Sequence, residues 1–314
     1  MNNYQPKDFV ETAEGLIFAV VTEDQEDQRI LSSLRYQRTT NGYKKLSTSE
    51  AEKLLQDSYP YYLYYSTTRD VWLHGVGVDR IVYHHQPRLR LLEILQAEPN
   101  DQIEAKLQRL IKLFKAEGLE TGEIGVTGSM LIGAQKTSSD IDLVFYKREV
   151  FFKAREIIKT LIAKQQLQPL HETLWQDAYA RRGCALTYDE YCWHEHRKYN
   201  KAAIEETKFD ISLLTADRWQ DLIRYRKQGR VNLKTTIADD RNSFDYPARY
   251  SLSHPAIDEV ISYTATYSGQ ALRDEQVEIQ GQLEVSIAGH LRIVIGTNRE
   301  ASHEYIKALS SQHH

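Results

Sequence analysis

Short runs rich in apolar residues, separated by polar segments, characterise the first part of the chain. Leu16–Val21 and Ile30–Tyr36 are β-prone runs of this kind, and acidic or polar turns separate them. A helix is predicted over Leu46–Leu55, because serine and threonine residues precede Glu50 as in a capping motif. These elements predict a strand-rich N-terminal module over residues 1–87.

A tyrosine-rich segment, Tyr59–Tyr65, interrupts this module. We interpret it as an edge strand with one face on the sheet. The alternative is a stacking platform for nucleic-acid bases, which also needs basic neighbours. Only Arg69 and Arg80 are near in sequence, so the edge strand is the preferred interpretation.

The hydrophobic period becomes helical after Pro87. Apolar residues recur at steps of three and four, which is typical of amphipathic helices, at Leu89, Leu92, Leu95, Ile103, Leu107, Leu110 and Phe114. Gly118 follows as a predicted C-cap. The next predicted elements are strands at Ile124–Thr127, Asp140–Tyr146 and Lys208–Leu214 and a helix at Glu149–Ala163. This order predicts an α/β domain over residues 88–232.

The last part of the chain, residues 233–314, is expected to be a small all-β sandwich or barrel. A basic, poorly patterned stretch before it, which follows Arg218 and Trp219, predicts a linker. The predicted strands are Val260–Tyr267, Gln276–Val285 and Leu291–Ile295, with a closing helix at Ala301–Leu309.

Cys192, His194 and His196 alternate in the sequence CWHEH and would share one face of a strand. A structural zinc site needs a fourth ligand, and Cys184 is the only other thiol. A polar or substrate-facing strand is therefore favoured over a zinc site.

Composition narrows the functional classes. The net charge of −4 and the pI near 6.3 exclude a globally basic nucleic-acid coat protein, although a local basic groove remains compatible. Sparse cysteine fits a reducing cytoplasm, and no apolar run approaches the length that spans a bilayer. The sequence is thus expected to belong to a cytoplasmic protein without membrane contact.

Asp140 and Asp142 are the first candidate catalytic residues. Residues two apart on a strand point to the same side, so both carboxylates would lie together. Such like charges are unfavourable unless a cation neutralises them, and oxygen ligands on a rigid strand suit Mg²⁺. The pair therefore predicts a divalent-metal site.

Gly128 and Ser129 form the second half of the candidate site. Glycine lets the backbone pass close to a ligand, and the serine hydroxyl and exposed N–H groups of a helix start can hold phosphate oxygens. A phosphate cradle joined to a metal pair by a short helix predicts a nucleoside triphosphate site.

This combination resembles the signature of the polymerase-β-type nucleotidyltransferase superfamily. The resemblance rests on Gly128-Ser129, a helix, and Asp140-Ile-Asp142, and it covers about residues 105–220. The family takes a third carboxylate from a later strand, which Asp210 matches in type and setting. The implied fold is α+β or α/β: a polymerase-β-like core between a strand-rich N-terminal module and a small all-β C-terminal module.

The resemblance implies that Asp140, Asp142 and Asp210 are both the catalytic residues and the ligands of two Mg²⁺ ions, for which Mn²⁺ could substitute. Gly128 and Ser129 would bind the nucleotide, with ATP as one candidate. Further candidates for nucleotide binding are Ser139, directly before Asp140, and Lys198, in the basic stretch that precedes Asp210.

The implied reaction moves a nucleoside monophosphate from an NTP to an acceptor hydroxyl. An RNA 3′ end is the favoured acceptor, because basic residues concentrate around Asp210 and the flanking modules are β-rich. A protein side chain or a small molecule is the alternative acceptor. A third hypothesis is an inactive nucleic-acid-binding or regulatory module on the same fold.

Overall fold

The computed structural model describes residues 4–215, 224–297 and 302–309. Its fold is mixed α+β, as predicted, and it divides into two compact units. The first comprises residues 1–157, 166–168 and 203–214, and the second the remainder. The predicted module boundary at residues 87/88 lies inside the first unit, and that at 232/233 lies inside a strand.

The larger sheet of the first unit is antiparallel and has the order β5-β6-β3-β2-β1-β7, with β4 also paired to β3. Its strands are β1 (Phe9–Thr12), β2 (Leu16–Glu26), β3 (Arg29–Thr39), β4 (Gly42–Lys45), β5 (Leu63–Ser66), β6 (Val71–Gly77) and β7 (Ile81–His85). Strand β5 lies at the edge of this sheet, which confirms the edge-strand interpretation for Leu63–Tyr65, whereas Pro60–Tyr62 form a short 3₁₀ helix instead.

Helix α1 (Thr48–Ser58) covers one face of this sheet. It begins with a capping box, in which the Ser47 hydroxyl accepts a hydrogen bond from the Glu50 N–H and the Glu50 carboxylate accepts one from the Ser47 N–H. Ala51 and Leu55 are buried in the same cluster as strand residues such as Phe18. The predicted helix is therefore present and extends slightly beyond its predicted end.

A second, smaller sheet has the order β10-β11-β9-β8. Its strands are β8 (Ile124–Thr127), β9 (Ile141–Phe145), β10 (Lys201–Ile204) and β11 (Thr207–Leu213). Helices α2 (Pro87–Gln96) and α3 (Gln102–Ala116) precede β8 in the chain, and α4 (Arg148–Ala163) follows β9. The helical period after Pro87 thus predicted the presence of α2 and α3 correctly, but the predicted apolar face of α2 is wrong: Leu89 and Leu92 are exposed, and Leu91 and Ile94 are buried. Gly118, at φ +77°, ends α3 as predicted, because its left-handed backbone allows the Leu119 N–H to donate to the Phe114 carbonyl.

The second unit contains a small β-barrel, one of the two architectures that the sequence predicted for this region. Its strands are β12 (Tyr225–Asp239), β13 (Ala248–Leu252), β14 (Ile257–Ser262), β15 (Gln276–Ser286), β16 (Leu291–Ile295) and β17 (Tyr305–Ala308). Strand β12 pairs with both β13 and β15, which closes the ring β12-β13-β14-β16-β15, and β17 adds to β15. Only the β14–β16 pairing is parallel among the pairings described here.

Two other sequence predictions in this unit are wrong. The basic stretch predicted as a linker forms much of β12, because the ladder with β15 supplies its backbone hydrogen bonds despite a polar, exposed pattern. The segment predicted as a closing helix forms strand β17 instead, which pairs with residues 277–280 of β15. Arg218 and Trp219, placed at the start of the linker, lie outside the described residues.

The strand predicted for CWHEH is also wrong. These residues belong to helix α6 (Tyr188–His196), which follows α5 (Glu172–Arg182). A capping box between Thr187 and Glu190 starts α6, and this local signal outweighs the apparent alternation. In the described parts of the chain, no helix is both long enough and apolar enough to cross a membrane.

Candidate active site

The three candidate aspartates meet at one end of the smaller sheet. Strands β9 and β11 run parallel, and their register places Asp210 directly opposite Asp142. Asp140 immediately precedes β9, next to the register position of Lys208 in β11. The fold therefore brings together carboxylates that are far apart in the sequence.

Lys208 supplies a cation between two of these carboxylates. Its ammonium Nζ lies 2.9 Å from an Asp140 oxygen and 3.5 Å from an Asp210 oxygen, and its side chain is only 5% exposed. Burial disfavours the charged lysine, but the attraction of Asp210 and Asp140 outweighs burial and raises the pKa of Lys208 above its ordinary value. Lys208 therefore remains an ammonium at neutral pH.

The negative charge of Asp142 is unfavourable in the folded protein. Removal from water, followed by repulsion from Asp210, raises the pKa of Asp142 to about 6, although Lys208 partly opposes this shift. A strongly shifted acid beside like charges is typical of functional sites and of sites that receive a cation. Burial and the neighbouring carboxylates thus act together to make the ionised form of Asp142 unfavourable.

Gly128 is fixed by the position of Asp142. Its φ is +67°, a left-handed conformation, and a Cβ added there would lie 2.3 Å from Asp142 Oδ2. Both the backbone conformation and the space therefore require glycine. The turn that follows β8 passes directly over the central carboxylate.

Ser129 lies on the short 3₁₀ turn Gly128–Ile132, which directly follows β8. The Ser129 carbonyl accepts from the Ala134 N–H at 2.9 Å, and the residue is partly exposed. Helix α2 anchors the same turn, because Arg90 Nε donates to the Met130 carbonyl at 3.1 Å. Ser129 is therefore held in place beside Asp142 and Gly128.

Ser139 has a structural contact within its own turn. Its hydroxyl accepts from the Lys136 N–H at 2.9 Å, and its N–H donates to the Lys136 carbonyl at 2.8 Å. These two bonds close the loop that leads into Asp140. The structure thus gives Ser139 a role in shaping this loop, and its contact with a nucleotide stays a prediction.

The larger sheet of the first unit also contributes to this site. Tyr36 of β3 is buried in one cluster with Leu131 and Ile132 of the 3₁₀ turn. Thr127 of β8 donates its hydroxyl to the Lys7 carbonyl at 2.8 Å. The N-terminal strands therefore form one wall of the site and are not a separate appendage.

Two basic residues on this wall act electrostatically on Asp142. The positive charge of Lys7 lowers the pKa of Asp142, against the larger effects of burial and Asp210. Arg35 of β3 is also close enough to interact with the Asp142 charge. Positive charge thus faces the acidic cluster from a part of the chain that the sequence pattern did not connect with it.

Lys198 does not join this cluster. It lies in the second unit, where its Nζ contacts Glu195 at 2.6 Å and the Thr266 carbonyl at 2.7 Å. The side chain is 1% exposed, and burial lowers its pKa to about 8 in spite of Glu195. Because its ammonium is committed to a buried ion pair, we correct the prediction that Lys198 binds the nucleotide.

The chemistry of the aspartates suits a hard divalent cation, although they do not form a finished cage. No group of three or more His, Cys, Asp or Glu side chains is arranged to hold a metal in residues 4–215, 224–297 or 302–309. Here Asp140 and Asp210 share an internal ammonium instead. This ammonium neutralises part of the negative charge of the cluster, and oxygen-only ligands are of the type that Mg²⁺ prefers.

Sequence reasoning counted Lys208 among the basic residues around Asp210 that could bind a triphosphate or RNA, and it assigned no role to Lys7 or Arg35. The contact of Lys208 with the aspartates could have been identified, because it lies two residues before Asp210 and the strand period places both on one side. Lys7 and Arg35 carry no local signal, since their relation to Asp142 arises only when the two sheets of the first unit pack together.

Comparison of the chain with known proteins shows its family and gives no activity. The chain is 34% identical to the uncharacterized protein MJ1086 of Methanocaldococcus jannaschii over 336 aligned residues, which cover 96% of this chain and 98% of the relative. The chain therefore belongs to the family of that archaeal protein. No family model matches the chain, and no solved structure matches it significantly.

Proposed function

We propose that the protein is a Mg²⁺-dependent nucleotidyltransferase whose active site is the cluster of Asp140, Asp142 and Asp210. The observation that carries the proposal is the register of β9 and β11, which sets Asp210 opposite Asp142 beside the glycine-serine turn. Three converging carboxylates next to a glycine-serine turn support the resemblance to polymerase-β-type nucleotidyltransferases.

The aspartates have the role of holding cations at the reacting phosphate. Asp140 directly precedes β9, Asp142 lies on β9, and Asp210 faces Asp142 from β11, so divalent ions would be held by carboxylates on two sides. When bound, Mg²⁺ neutralises triphosphate charge and makes the acceptor hydroxyl easier to deprotonate. The protein then contributes a rigid strand frame, which fixes the spacing of the ligands.

The turn at Gly128 and Ser129 positions the triphosphate in this proposal. Gly128 lets the backbone of the turn pass close to Asp142, and Ser129 is partly exposed at the same turn. In the transfer step, a bond forms between the acceptor oxygen and the α-phosphorus, and the bond from that phosphorus to the β-phosphate oxygen breaks. The acceptor proton is lost, and pyrophosphate leaves.

An RNA end is the acceptor that we favour within this proposal. In the second unit, Arg226, Lys227 and Arg230 lie exposed on β12, and Arg224 lies exposed just before it. Exposed arginines along one strand are suited to the phosphates of a polynucleotide. This basic strand favours RNA over a small-molecule acceptor.

The proposal is tested by incubating the protein with each α-³²P-labelled NTP, Mg²⁺ or Mn²⁺, and total RNA. Label on RNA supports an RNA acceptor. Label on the protein itself or on a small molecule keeps the enzyme class and replaces the acceptor. Absence of any label, with RNA binding retained, would instead favour a binding module on this fold.

A further inference from the structure

Strand β3 contains a bulge at Arg35. Along the β2–β3 ladder, Phe18 pairs with Leu34 and the preceding Ile17 pairs with Tyr36, so Arg35 is the extra residue. A bulge of this kind breaks the strict alternation of side chains and turns two successive residues toward one side. Arg35 can therefore share the side of the sheet on which Tyr36 lies.

The side that Tyr36 occupies is the wall of the candidate site. Tyr36 packs with Leu131 and Ile132, which belong to the turn that begins at Gly128. The charges of Arg35 and Asp142 interact, as do those of Tyr36 and Asp142. The bulge thus directs a guanidinium toward the acidic cluster and the glycine-serine turn.

Arg35 also lacks the partners that other arginines of β3 have. Arg38 donates to both Glu11 oxygens, at 2.7 and 2.9 Å, and Arg29 donates to the Tyr61 and Gly75 carbonyls. Within the described ranges of the chain, Arg35 makes no ion pair and no side-chain hydrogen bond. Burial lowers its pKa, although Tyr36 and Asp142 oppose the effect.

A partly buried guanidinium loses part of its hydration, and an anion that reaches it from solvent gives its N–H groups charged acceptors. Asp142 attracts Arg35 only through its charge, since no ion pair or hydrogen bond joins them among the described residues, and Asp140 and Asp210 already share Lys208. Phosphate oxygens match the planar fork of arginine and would lie between Arg35 and cations held by the aspartates.

We propose that Arg35 binds a phosphate group of the nucleoside triphosphate, so that the N-terminal sheet forms the phosphate-facing wall of the active site. This inference rests on the proposed function. It assigns the ligand class to Arg35: a nucleotide that carries a di- or triphosphate. It also explains why the strand-rich N-terminal segment is packed on the turn Gly128–Ile132.

The test measures binding by calorimetry for wild type, Arg35→Gln and Arg35→Lys, with ATP, with adenosine and with inorganic tripolyphosphate, each with Mg²⁺. We expect Arg35→Gln to weaken ATP and tripolyphosphate binding about 10- to 100-fold, as for loss of a charged hydrogen-bond pair. Arg35→Lys should restore part of this loss, because it keeps the charge without the fork. Adenosine binding should not change.

Arg38→Gln is the matched control, since it removes an arginine from the same strand that already has a carboxylate partner. It should leave the affinity for ATP unchanged. Thermal melting of each variant checks that the fold is intact, and transfer kinetics should show a raised KM for the NTP in Arg35→Gln.

The outcomes separate this inference from the proposed function. If wild type binds and transfers nucleotide and Arg35→Gln binds it equally well, the role of Arg35 is overturned and the enzyme class stands. If ATP and adenosine binding weaken equally, Arg35 supports the fold of the site and the phosphate assignment is also overturned. If wild type binds no nucleotide, both proposals fail together.

Discussion

Asp210 and Asp142 are direct partners on neighbouring parallel strands, although helices α4, α5 and α6 separate them in the chain. Their closeness concentrates negative charge where β8, β9 and β11 lie side by side. Burial and like-charge repulsion make the ionised form of Asp142 unfavourable in the folded protein. Unfavourable charges of this kind are characteristic of functional sites, where the arrangement of residues serves a ligand and not stability.

The first prediction concerns the pH dependence of folding. Because folding raises the pKa of Asp142 from 3.8 to about 6, the folded protein holds this proton more tightly than the unfolded chain. Ionisation of Asp142 therefore does not lower the free energy of unfolding below pH 3.8, where the carboxyl is protonated in both states. The loss of stability grows as the pH rises from 3.8 and is complete above about pH 6. Without metal, Asp142→Asn should be more stable than wild type by about 3 kcal/mol at pH 7.5 and of equal stability at pH 3.5.

Urea unfolding of both proteins in chelator across this pH range gives the measurement. Other groups titrate in both proteins, so the difference between the two free energies isolates Asp142. A difference that stays constant with pH would show that Asp142 is not a strained carboxylate.

The second prediction tests Lys208 as the internal cation. Lys208→Met leaves Asp140 and Asp210 without their shared ammonium and should cost about 3 to 5 kcal/mol of stability in chelator, as for a broken buried ion pair. Millimolar Mg²⁺ should restore more stability to this variant than to wild type. Chemical denaturation with chelator and with Mg²⁺ measures both effects.

Lys53→Met provides the control for Lys208. Lys53 contacts Asp57 at a similar distance, 3.0 Å, but both side chains are well exposed. Its loss should change stability by no more than about 0.5 kcal/mol, with no dependence on Mg²⁺. An equal response of Lys208→Met and wild type to Mg²⁺ would contradict the view that ammonium and metal occupy the same charged cluster.

The third prediction separates backbone strain from crowding at Gly128. Gly128→Ala and Gly133→Ala both place a side chain at φ +67°, and each should lose about 1 to 2 kcal/mol from this strain. Only at Gly128 does the new Cβ collide with Asp142, since nothing lies within 4 Å of a Cβ at Gly133. Gly128→Ala should therefore lose nucleotidyl transfer, and Gly133→Ala should retain it.

Activity assays at matched folded fractions make this comparison, with stability measured for each variant. Equal activity of the two alanine variants would mean that the close approach of Gly128 to Asp142 has no part in catalysis.

The fourth prediction concerns the basic strand of the barrel. Arg224→Glu combined with Arg226→Glu should weaken RNA binding, and the slope of log affinity against log salt should fall by about 2. The control is Arg273→Glu, an exposed arginine elsewhere in the second unit. Filter binding across salt concentrations measures the effect, and unchanged RNA affinity would remove this strand from the proposed acceptor surface.

The elements around the candidate site could be predicted from sequence because their signals are local. The helical period ending at Gly118 and the alternating residues of β9 and β11 were sufficient to find α3 and both aspartate strands. The parallel pairing of β9 and β11 then explains why the three carboxylates converge, since it places Asp210 beside Asp142 and close to Asp140 at the start of both strands.

Other features depend on distant parts of the chain. Strand β12 was mistaken for a linker because its residues are mostly polar and exposed, and only the ladder to β15 makes it a strand. The wall formed by Lys7 and Arg35 depends on packing between two sheets, which no local spacing encodes. Lys198 was misassigned because a basic residue close to Asp210 in sequence can still be buried against Glu195.

The central claim is most directly tested by comparing ATP labelled at the α-phosphate with ATP labelled at the γ-phosphate in the presence of Mg²⁺. Nucleotidyl transfer predicts that acceptor is labelled only from the α position, that the γ label appears in pyrophosphate, and that Asp142→Asn abolishes both products. Acceptor labelled from the γ position, or equal activity of the Asp142→Asn protein, would contradict the assignment of the three aspartates.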